Sequence, residues 1–547
     1  MNFGFVIDNR KCIGCHACTV ACKAEHDVPL GVNRTWVKYV EKGTFPNTRR
    51  LFSVMRCNHC EDAPCVTICP VSALYKRPDG IVDFDKRRCI GCKSCMQACP
   101  YDALYIDPES LTAAKCNYCA HRIDIGLEPA CVNVCPEHAI ISGNMDDPQS
   151  EIAQLLAREQ VHARKIEKGT LPKLFYIEAD AASLVPGVAG PEKTYTQAEQ
   201  TAGVGHFARY AEMRMDIADP EKMAQTLAGE KKTPQQYGVT VPADTANGKM
   251  LDKAWAVVRE QARRVYDAPS KGVLWGWEVS AYVWTKAIAA GAFLIPFLAL
   301  WLNMAPLTET TQWTGVGLAL VFLAITGFLL IKDLDQPSRF VYVLLRPQWG
   351  SWLVKGGYFI TFYGFFLVLW GIGKLLQIDG LTAFAMYGGL IFSVLVAIYT
   401  AFLFAQAKGR DFWQTPVLPI HMLVHAAMAG ASCFAILDLL IPGDAMWASY
   451  LSQTLQVAIV VNVLVMAFEL IIPHPTADAK LAVKMITKGQ FGTLFHGGIL
   501  AFGNLLPLLL IWLTGTEYLA LAGALVLIGL YFTEHIWLRA PQHVPLA

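Results

Sequence analysis

Cysteine crowding is the strongest constraint on what this chain can fold into. Of the 17 cysteines in 547 residues, all but Cys433 lie within the first 135 positions. They form four quartets, and the first and third repeat the spacing C-x2-C-x2-C-x3-C. The quartets are Cys12, Cys15, Cys18 and Cys22; Cys57, Cys60, Cys65 and Cys69; Cys89, Cys92, Cys95 and Cys99; and Cys116, Cys119, Cys131 and Cys135. Thiols at this density indicate disulfides, zinc sites or iron–sulfur clusters.

The spacing favours iron–sulfur clusters over the alternatives. Three close thiolates hold one face of a cubane, and the fourth, in C-x3-C-P, ligates a neighbouring cluster. Zinc takes paired CxxC units, which leave no role for the third cysteine. Disulfides suit small secreted domains, whereas the start MNFGFVIDNRKC has no apolar signal segment and no twin arginine. The stretch CIGCH at 12–16 also matches c-type haem attachment, which would leave Cys18 and Cys22 without partners. We therefore predict four [4Fe-4S] clusters.

The rest of the chain is predicted to be a connector and a membrane domain. Residues 187–270 are interpreted as a connector with surface helices, one of them over 252–267. Eight later apolar stretches are long enough to cross a lipid bilayer, and a net charge of +1 gives no sign of a nucleic-acid partner. The stretches cover about 273–300, 313–331, 352–374, 384–405, 416–440, 446–472, 490–514 and 517–537. The predicted fold class is an α+β double bis-[4Fe-4S] ferredoxin domain over 1–186, fused to an all-α eight-helix transmembrane domain over 271–547.

Loop charges predict the orientation of the chain. The loops after the second, fourth and sixth spans and the C-terminal tail are rich in basic residues, whereas the opposite loops offer only Lys374. The basic residues are Lys332, Arg339, Arg346, Lys408, Arg410, Lys480, Lys484, Lys488 and Arg539. Because cytoplasmic loops carry the excess of Lys and Arg, the ferredoxin domain is predicted on the cytoplasmic side of a bacterial inner (cytoplasmic) membrane.

Residues 1 to about 186 resemble the four-cluster iron–sulfur subunits of molybdopterin oxidoreductases, which include dimethyl sulfoxide, polysulfide and sulfite-oxidising complexes. The resemblance rests on the four quartets, the wide C-x11-C spacing in the fourth, and the stretch KLFYIEAD at 173–180. It implies that the outer quartets share two clusters and the inner quartets share two. The implied ligand sets are Cys12, Cys15, Cys18 and Cys135; Cys22, Cys116, Cys119 and Cys131; Cys57, Cys60, Cys65 and Cys99; and Cys69, Cys89, Cys92 and Cys95.

The eight spans resemble the NrfD/polysulfide reductase-type membrane subunits, and DLDQPSRFVYVLLRPQWGSW at 333–352 resembles their loop between the second and third spans. The resemblance implies electron exchange with menaquinone or ubiquinone, and a separate catalytic subunit that carries molybdopterin. We expect an electron-transfer and quinone-reactive subunit, of the sulfite-oxidising type if the catalytic side is cytoplasmic. Alternatives are a respiratory hydrogenase subunit, a subunit of a quinol-oxidising multihaem cytochrome complex (alternative complex III type), and an ion transporter with a redox-sensing head.

Quinone chemistry moves two electrons and two protons, so ionisable and polar groups inside the spans are candidate ligands. The candidates are Glu278, Tyr282 and Lys286 in the first span, His421 and His425 in the fifth, Glu469 in the sixth and His496 in the seventh. Those from the different spans are predicted to converge on the side of the membrane that faces the clusters. Each residue could instead make an interhelical hydrogen bond. A haem b is the other interpretation of the histidines, but His421 and His425 share a helical face and cannot bind opposite sides of one iron.

Overall fold

The computed structural model describes residues 1–44, 47–189, 195–196, 262–441 and 443–547. Short strands alternate with short helices before residue 270, and the remainder after it is helical, which is the predicted fold class. The strands are β1 (Phe3–Asp8), β2 (Thr35–Thr44), β3 (Asn47–Arg56), β4 (Leu74–Lys76), β5 (Val82–Phe84), β6 (Leu104–Asp107), β7 (Thr112–Lys115), β8 (Ile140–Asn144), β9 (Val161–His162), β10 (Leu174–Ile177), β11 (Tyr195–Thr196) and β12 (Ala262–Asp267). The short helices are Ala17–His26, Pro64–Ile68, Ser94–Ala98, Ala120–Ile123, Ala130–Asn133, Glu151–Arg158, Ile166–Lys168 and Ala181–Leu184.

A four-stranded sheet in the order β8-β1-β10-β9 joins the beginning of the ferredoxin domain to its end. β1 pairs antiparallel with β8 and parallel with β10, the strand that lies in KLFYIEAD. Phe5 and Ile7 alternate along β1 and pack into the same core as Cys18 and Cys131. The sheet therefore supports the cysteine-bearing turns from one side. Two hairpins, β4–β5 and β6–β7, lie between those turns.

A second sheet, in the order β11-β12-β2-β3, ties the segment before the first span to the ferredoxin domain. β12 pairs antiparallel with β2, and Arg264 lies opposite Val40. Ala262 packs against Val40 and Leu51. The helix predicted over 252–267 is therefore wrong for residues 262–267, because pairing with an existing strand outweighs local helix propensity. Residues 252–261 lie outside the described residues.

The repeated motifs CIGCHAC and CIGCKSC share one backbone geometry. Gly14 and Gly91 both have a φ of 71°, and His16 and Lys93 have a φ of 62° and 60°. Glycine adopts this left-handed conformation at no steric cost, and the resulting turns bring successive thiols to one side of the chain. The sequence repeat is thus also a structural repeat.

Eight helices among the described residues are long and apolar enough to cross a membrane, and the chain is a multi-pass membrane protein. The spans, numbered in chain order, are Trp277–Trp301, Glu309–Lys332, Trp352–Leu375, Asp379–Gln406, Leu418–Leu437, Ala445–Ile471, Leu494–Thr514 and Leu519–Gln542. Their bounds agree with the predicted stretches to within five residues at each end. Shorter helical segments in the loops cover Pro337–Arg339, Tyr342–Leu345, Asp411–Gln414 and Ala477–Thr487.

The seventh span begins as a π-helix over Leu494–Leu505 and continues as an α-helix. Within the π-helix, Asn504 donates its side-chain N–H to the carbonyl oxygen of Ile499 at 2.8 Å. Gly503 lies so close to the eighth span that a Cβ would be 2.5 Å from the Cα of Gly529. Such irregular helical segments often occur at functional sites.

The ferredoxin domain docks on the loops that follow the second and fourth spans. Ser351 donates its hydroxyl hydrogen to the carbonyl oxygen of Ile68 at 2.7 Å. Arg339 donates to the carbonyl oxygen of Cys89 at 3.0 Å, and Arg410 donates to the side-chain oxygen of Gln97 at 2.9 Å. Two of the nine basic loop residues therefore hold the two domains together, whichever side of the membrane they face.

Candidate functional site

The structure gathers the sixteen N-terminal cysteines into four groups. One cavity is lined by Cys12, Cys15, Cys18 and Cys135, and a second by Cys69, Cys89, Cys92 and Cys95. Cys22 lies within electrostatic range of Cys116, Cys119 and Cys131, and Cys65 lies within range of Cys57, Cys60 and Cys99. Each group contains the four thiols that the family resemblance assigns to one cluster.

Electrostatic interactions between thiols of neighbouring groups place the groups in a series, in which the first group contains Cys12, the second Cys22, the third Cys57 and the fourth Cys69. Cys18 of the first group interacts electrostatically with Cys131 of the second. Cys57 of the third group interacts with Cys116 of the second. Cys95 of the fourth interacts with Cys65 of the third. The series gives a path for electrons from one end of the domain to the other.

The groups fit [4Fe-4S] clusters by their donor atoms and by the hydrogen bonds around them. No disulfide joins these cysteines in the described part of the chain, and backbone N–H groups of Ala73 and Ala139 donate to the sulfurs of Cys69 and Cys135 at 3.2 and 3.3 Å. Burial raises the pKa of the Cys18 thiol to about 12, and the nearby Arg56 guanidinium opposes this rise.

A single metal ion fits the groups less well than a cluster does. A zinc ion draws its thiolates to within about 4 Å of one another, because Zn–S bonds are about 2.3 Å long. In the described part of the chain, no set of His, Cys, Asp and Glu side chains is placed to hold one ion. His16, the histidine of the CIGCH stretch, packs against Tyr39 and Tyr266 with ring centroids 5.2 and 4.8 Å away.

The two ends of the series have different surroundings. At the first group Cys15 is exposed, and the neighbouring Ile13 has 55% of its surface exposed. The fourth group lies against the membrane domain, where the indole N–H of Trp275 donates to the carbonyl oxygen of Cys92 at 3.1 Å. Gly91 packs closely against the loop after the second span. A Cβ added to Gly91 would lie 2.6 Å from the Cβ of Asp335. One end of the series is thus open to a partner and the other is fixed to the membrane domain.

A small, mainly apolar cavity lies in the membrane domain on the same side as the fourth group. It is lined by Val283, Phe404, Trp413, Leu418, His421, Met422, His425, Glu534, Trp537 and Leu538. Trp413 stacks on Trp275 with ring centroids 5.7 Å apart. Because Trp275 also bonds to Cys92, two packed aromatic rings connect the fourth cysteine group to the cavity.

His421 presents one unpartnered ring nitrogen inside this buried site. Its Nδ1 lies 2.8 Å from Oε2 of Glu469, and that oxygen also accepts the indole N–H of Trp537 at 2.9 Å. No hydrogen-bond partner of its Nε2 lies among the described residues. The His421 side chain is only 2% exposed. A buried polar atom without a partner is costly, which makes His421 Nε2 the natural place for a polar ligand atom.

His425 belongs to a fully paired polar network that crosses four spans. Its Nδ1 lies 2.6 Å from Oε1 of Glu534, and its Nε2 donates to Oδ1 of Asn462 at 3.1 Å. The Asn462 amide in turn donates to Asn504 at 3.0 Å, which fixes its orientation. With Nε2–H engaged in this way, His425 and Glu534 together hold one further proton between Nδ1 and the carboxylate. The pair is therefore a proton store beside the cavity.

The seven candidate quinone residues do not all reach the cavity. His421 and His425 line it, and Glu469 lies directly behind His421. Tyr282 is buried in the first span, and Lys286 bonds to Thr400 at 2.6 Å between the first and fourth spans.

Glu278 and His496 lie away from the cavity. Glu278 lies 3.9 Å from Lys332 at the domain boundary. His496 is exposed on the outer face of the π-helix and bonds to the carbonyl oxygen of Thr487, while its neighbour Phe495 faces inward. The predicted convergence therefore fails for both residues, because Glu278 lies at the domain boundary and the helix turns His496 outward.

Sequence reasoning missed Glu534 and Asn462, which complete the site. Glu534 was detectable by the same rule that selected the other candidates, since it is an acidic residue inside an apolar span. Asn462 carries no charge, so only its contacts reveal its role. Trp413 lies in the loop between the fourth and fifth spans, so it was not among the residues considered when candidates were taken from the spans.

A series of cysteine groups that ends beside a mainly apolar membrane cavity lined by His421, His425 and Glu534 defines a membrane-bound iron–sulfur protein for electron transport. The comparisons with known proteins agree with this class. Residues 267–545 match the family described as Polysulphide reductase, NrfD, and residues 11–74 and 48–145 match 4Fe-4S dicluster domains. The protein belongs to the NrfD polysulphide reductase family, fused to a 4Fe-4S dicluster ferredoxin domain.

Curated relatives match the iron–sulfur half. A tetrathionate reductase subunit of Salmonella typhimurium is 44% identical over 188 residues, which cover 34% of this chain and 75% of the relative. A putative dimethyl sulfoxide reductase iron-sulfur subunit of Halobacterium salinarum is 34% identical over 277 residues, 45% of this chain and 98% of the relative. A polysulfide reductase subunit of Wolinella succinogenes is 42% identical over 180 residues, 32% of this chain and 93% of the relative.

Proposed function

We propose that this chain is the electron-transfer and quinone-reactive subunit of a membrane-bound oxidoreductase complex, whose substrate half-reaction takes place on another chain. When bound, four [4Fe-4S] clusters would supply one-electron carriers between that chain and the membrane. The observation that carries the proposal is the unpartnered His421 Nε2, inside an apolar cavity joined to Cys92 through Trp275 and Trp413.

The cavity residues can handle the two protons of a quinone such as menaquinone or ubiquinone. Glu469 holds Nδ1–H of His421, so Nε2 accepts a hydrogen bond from a quinol hydroxyl and then takes its proton. The Glu469 carboxylate stabilises the resulting imidazolium. The pair of His425 and Glu534 lies on the same cavity wall and already holds a shared proton, so it can donate that proton when a quinone is reduced. When a quinol is oxidised, the pair must first lose this proton before it can accept the second proton of the quinol.

The exposed first group is the proposed docking site of the catalytic subunit. Cys15 is exposed there, and Ile13 and Val20 place apolar side chains in solvent with 55% and 64% of their surface exposed. The relatives named above are subunits of tetrathionate, dimethyl sulfoxide and polysulfide reductases. We therefore assign a molybdopterin-carrying partner. The large subunit that copurifies with this chain distinguishes it from a hydrogenase or a multihaem cytochrome.

The proposed orientation places the ferredoxin domain on the cytoplasmic side of a bacterial inner membrane. Seven of the nine basic loop residues support it, since Arg339 and Arg410 are accounted for by docking contacts. The orientation can be tested with an Arg87→Cys variant, because Arg87 is exposed. Intact spheroplasts and opened cells are treated with a thiol reagent that does not cross the membrane. The proposal expects labelling only after the cells are opened. Labelling of intact spheroplasts would show the opposite orientation.

Quinone binding to the purified full chain tests the proposed cavity. Trp413 and Trp537 line it, so a short-chain menaquinone should quench tryptophan fluorescence. Replacing His421 by Ala should weaken binding on the order of tenfold, the effect of one buried hydrogen bond. His496→Ala is the matched control, because that exposed histidine does not reach the cavity. Equal binding by wild type and His421→Ala would contradict the assignment.

A further inference from the structure

Arg56 lies at an unusual place in the ferredoxin domain. It is the last residue of β3 and directly precedes Cys57 of the third group. Its side chain is completely buried, and its guanidinium carbon lies 4.5 Å from the centre of the Phe5 ring. Its Nη1 donates to the sulfur of Cys131, a member of the second group, at 3.1 Å. A residue next to one cysteine group thus contacts the sulfur of another.

Among the described residues, no carboxylate pairs with the guanidinium of Arg56. Its Nε and Nη2 have no hydrogen-bond partner among the described residues. A buried guanidinium left in this state would be strongly destabilising, because it has lost its hydration without gaining an anionic partner. The strongest favourable electrostatic influences on Arg56 come from the thiols of Cys131, Cys116 and Cys18. Negative charge on those sulfurs, or on a cluster that they hold, would compensate the buried cation.

We propose that Arg56 is a fixed positive charge that raises the reduction potential of the cluster held by the second cysteine group. The inference rests on the proposed iron–sulfur function. Reduction adds one electron and no proton, so it adds one negative charge to the site. A buried cation that bonds to a ligating sulfur stabilises that charge, since hydrogen bonds to the sulfurs and net charge set the potentials of such clusters.

The effect should be local to the second group and should not extend to the fourth. At the fourth group, the described donors to sulfur are neutral backbone groups, such as the N–H of Ala73 to Cys69 and of Ala113 to Cys89. Lys93, the nearest basic side chain in sequence, is paired with Asp335 at 3.1 Å. The cation at the second group therefore makes electrons more stable in the interior of the domain than they would otherwise be.

A redox titration of the purified full chain, followed by electron paramagnetic resonance, tests the inference. Arg56→Gln removes the charge and keeps a polar side chain, whereas Arg56→Lys keeps the charge. Arg49→Gln is the matched control, on the same strand but 73% exposed. Arg56→Gln should lower one midpoint potential by about 59 mV, which corresponds to a tenfold change in the ratio of reduced to oxidised cluster for a one-electron couple. Arg56→Lys should lower it by less than half as much, and Arg49→Gln should leave all midpoints unchanged.

Each outcome of the titration has one meaning. An Arg56→Gln chain with full iron content and unchanged midpoints overturns the inference while leaving the proposed function intact. If Arg56→Gln loses iron, the Arg56→Lys variant distinguishes charge from packing. Full iron content in Arg56→Lys, with a midpoint potential near that of the wild type, supports the role of charge. Loss of iron in Arg56→Lys as well shows that the arginine acts through packing and overturns the inference. A wild-type protein without iron would contradict the proposed function itself.

Discussion

The indole N–H of Trp275 donates to the carbonyl oxygen of Cys92 at 3.1 Å, which links the last cysteine group directly to the membrane domain. The same indole ring stacks on Trp413, which lines the mainly apolar cavity. One side chain, just before the first span, thus positions the electron-transfer domain over the candidate quinone site. Packing of this kind aligns the two domains.

Replacing Trp275 should weaken domain docking, and the loss should be larger when both the hydrogen bond and the stacking ring are removed than when the hydrogen bond alone is removed. Trp275→Phe keeps a stacking ring and loses one hydrogen bond, worth about 1 kcal/mol. Trp275→Ala loses both and should cost about 3–5 kcal/mol. Thermal unfolding in detergent measures the difference. Trp512→Ala is the control, because that residue is 74% exposed on the seventh span. Equal stability of Trp275→Ala and Trp512→Ala would show that the indole does not secure the interface.

Replacing Glu534 by Gln should slow the quinone-linked reaction by about 100-fold or more, the usual contribution of a general acid–base group. The pair of His425 and Glu534 then loses its shared proton, while the hydrogen bond of 2.6 Å can still form. Stopped-flow oxidation of a menaquinol analogue provides the rate, and iron content should stay at the wild-type level. Glu309→Gln serves as the control because Glu309 lies at the start of the second span, away from the cavity. A wild-type rate in Glu534→Gln would remove this residue from proton transfer.

Adding a methyl group at Gly91 should disturb docking more than the same change elsewhere. Gly91 has a positive φ, and its Cβ would be 2.6 Å from that of Asp335. Gly126 also has a positive φ but has no atom within 4 Å of its Cβ position. Gly126→Ala therefore reports backbone strain alone, about 1–2 kcal/mol. Gly91→Ala should lower thermal stability further and expose the domain interface to proteases. Identical losses in the two variants would argue against a tight contact at Asp335.

The Asp333 carboxyl predicts a pH dependence of stability. Burial raises its pKa to about 7, with Lys93 opposing and Glu278 and Asp335 adding to the rise. In the unfolded chain the same carboxyl has a pKa near 3.9. Between about pH 4 and pH 7 the folded state therefore holds a proton that the unfolded state has lost, so this contribution to stability falls as pH rises. Asp333→Asn should flatten the slope of melting temperature against pH over this range.

The control for this pH dependence is Asp379→Asn, because Asp379 is exposed at the start of the fourth span. That variant should retain the wild-type slope. A slope that is unchanged in Asp333→Asn would mean that Asp333 ionises alike in the folded and unfolded states.

The parts of this structure that sequence could predict are those with short-range signals. Cysteine spacing identified the four quartets, and apolar length located the eight spans, because both patterns are local. The strand at Ala262–Asp267 was missed because its partner, β2, lies more than two hundred residues earlier. The outward direction of His496 depends on a π-helix that no local pattern announced. The loop charges of Arg339 and Arg410 had a second cause, docking, which only contacts reveal.

The candidate site divides in the same way. His421 and His425 were detectable as histidines on one helical face, four residues apart. Their different roles were not detectable from the sequence. Nε2 of His421 has no partner among the described residues, whereas Nε2 of His425 bonds to Asn462. The position of the cavity under Cys92 likewise follows from the stacking of Trp275 on Trp413, two residues that are 138 positions apart in sequence.

The most direct test of the central claim is the reaction of the reduced protein with a quinone. The purified full chain is reduced anaerobically, freed of reductant and mixed with a short-chain menaquinone while the cluster signals are followed by electron paramagnetic resonance. The account predicts that the signals disappear in wild type and His496→Ala, and persist far longer in His421→Ala at equal iron content. Reduced clusters that do not respond to quinone in the wild type, or that respond equally fast in His421→Ala, would contradict it.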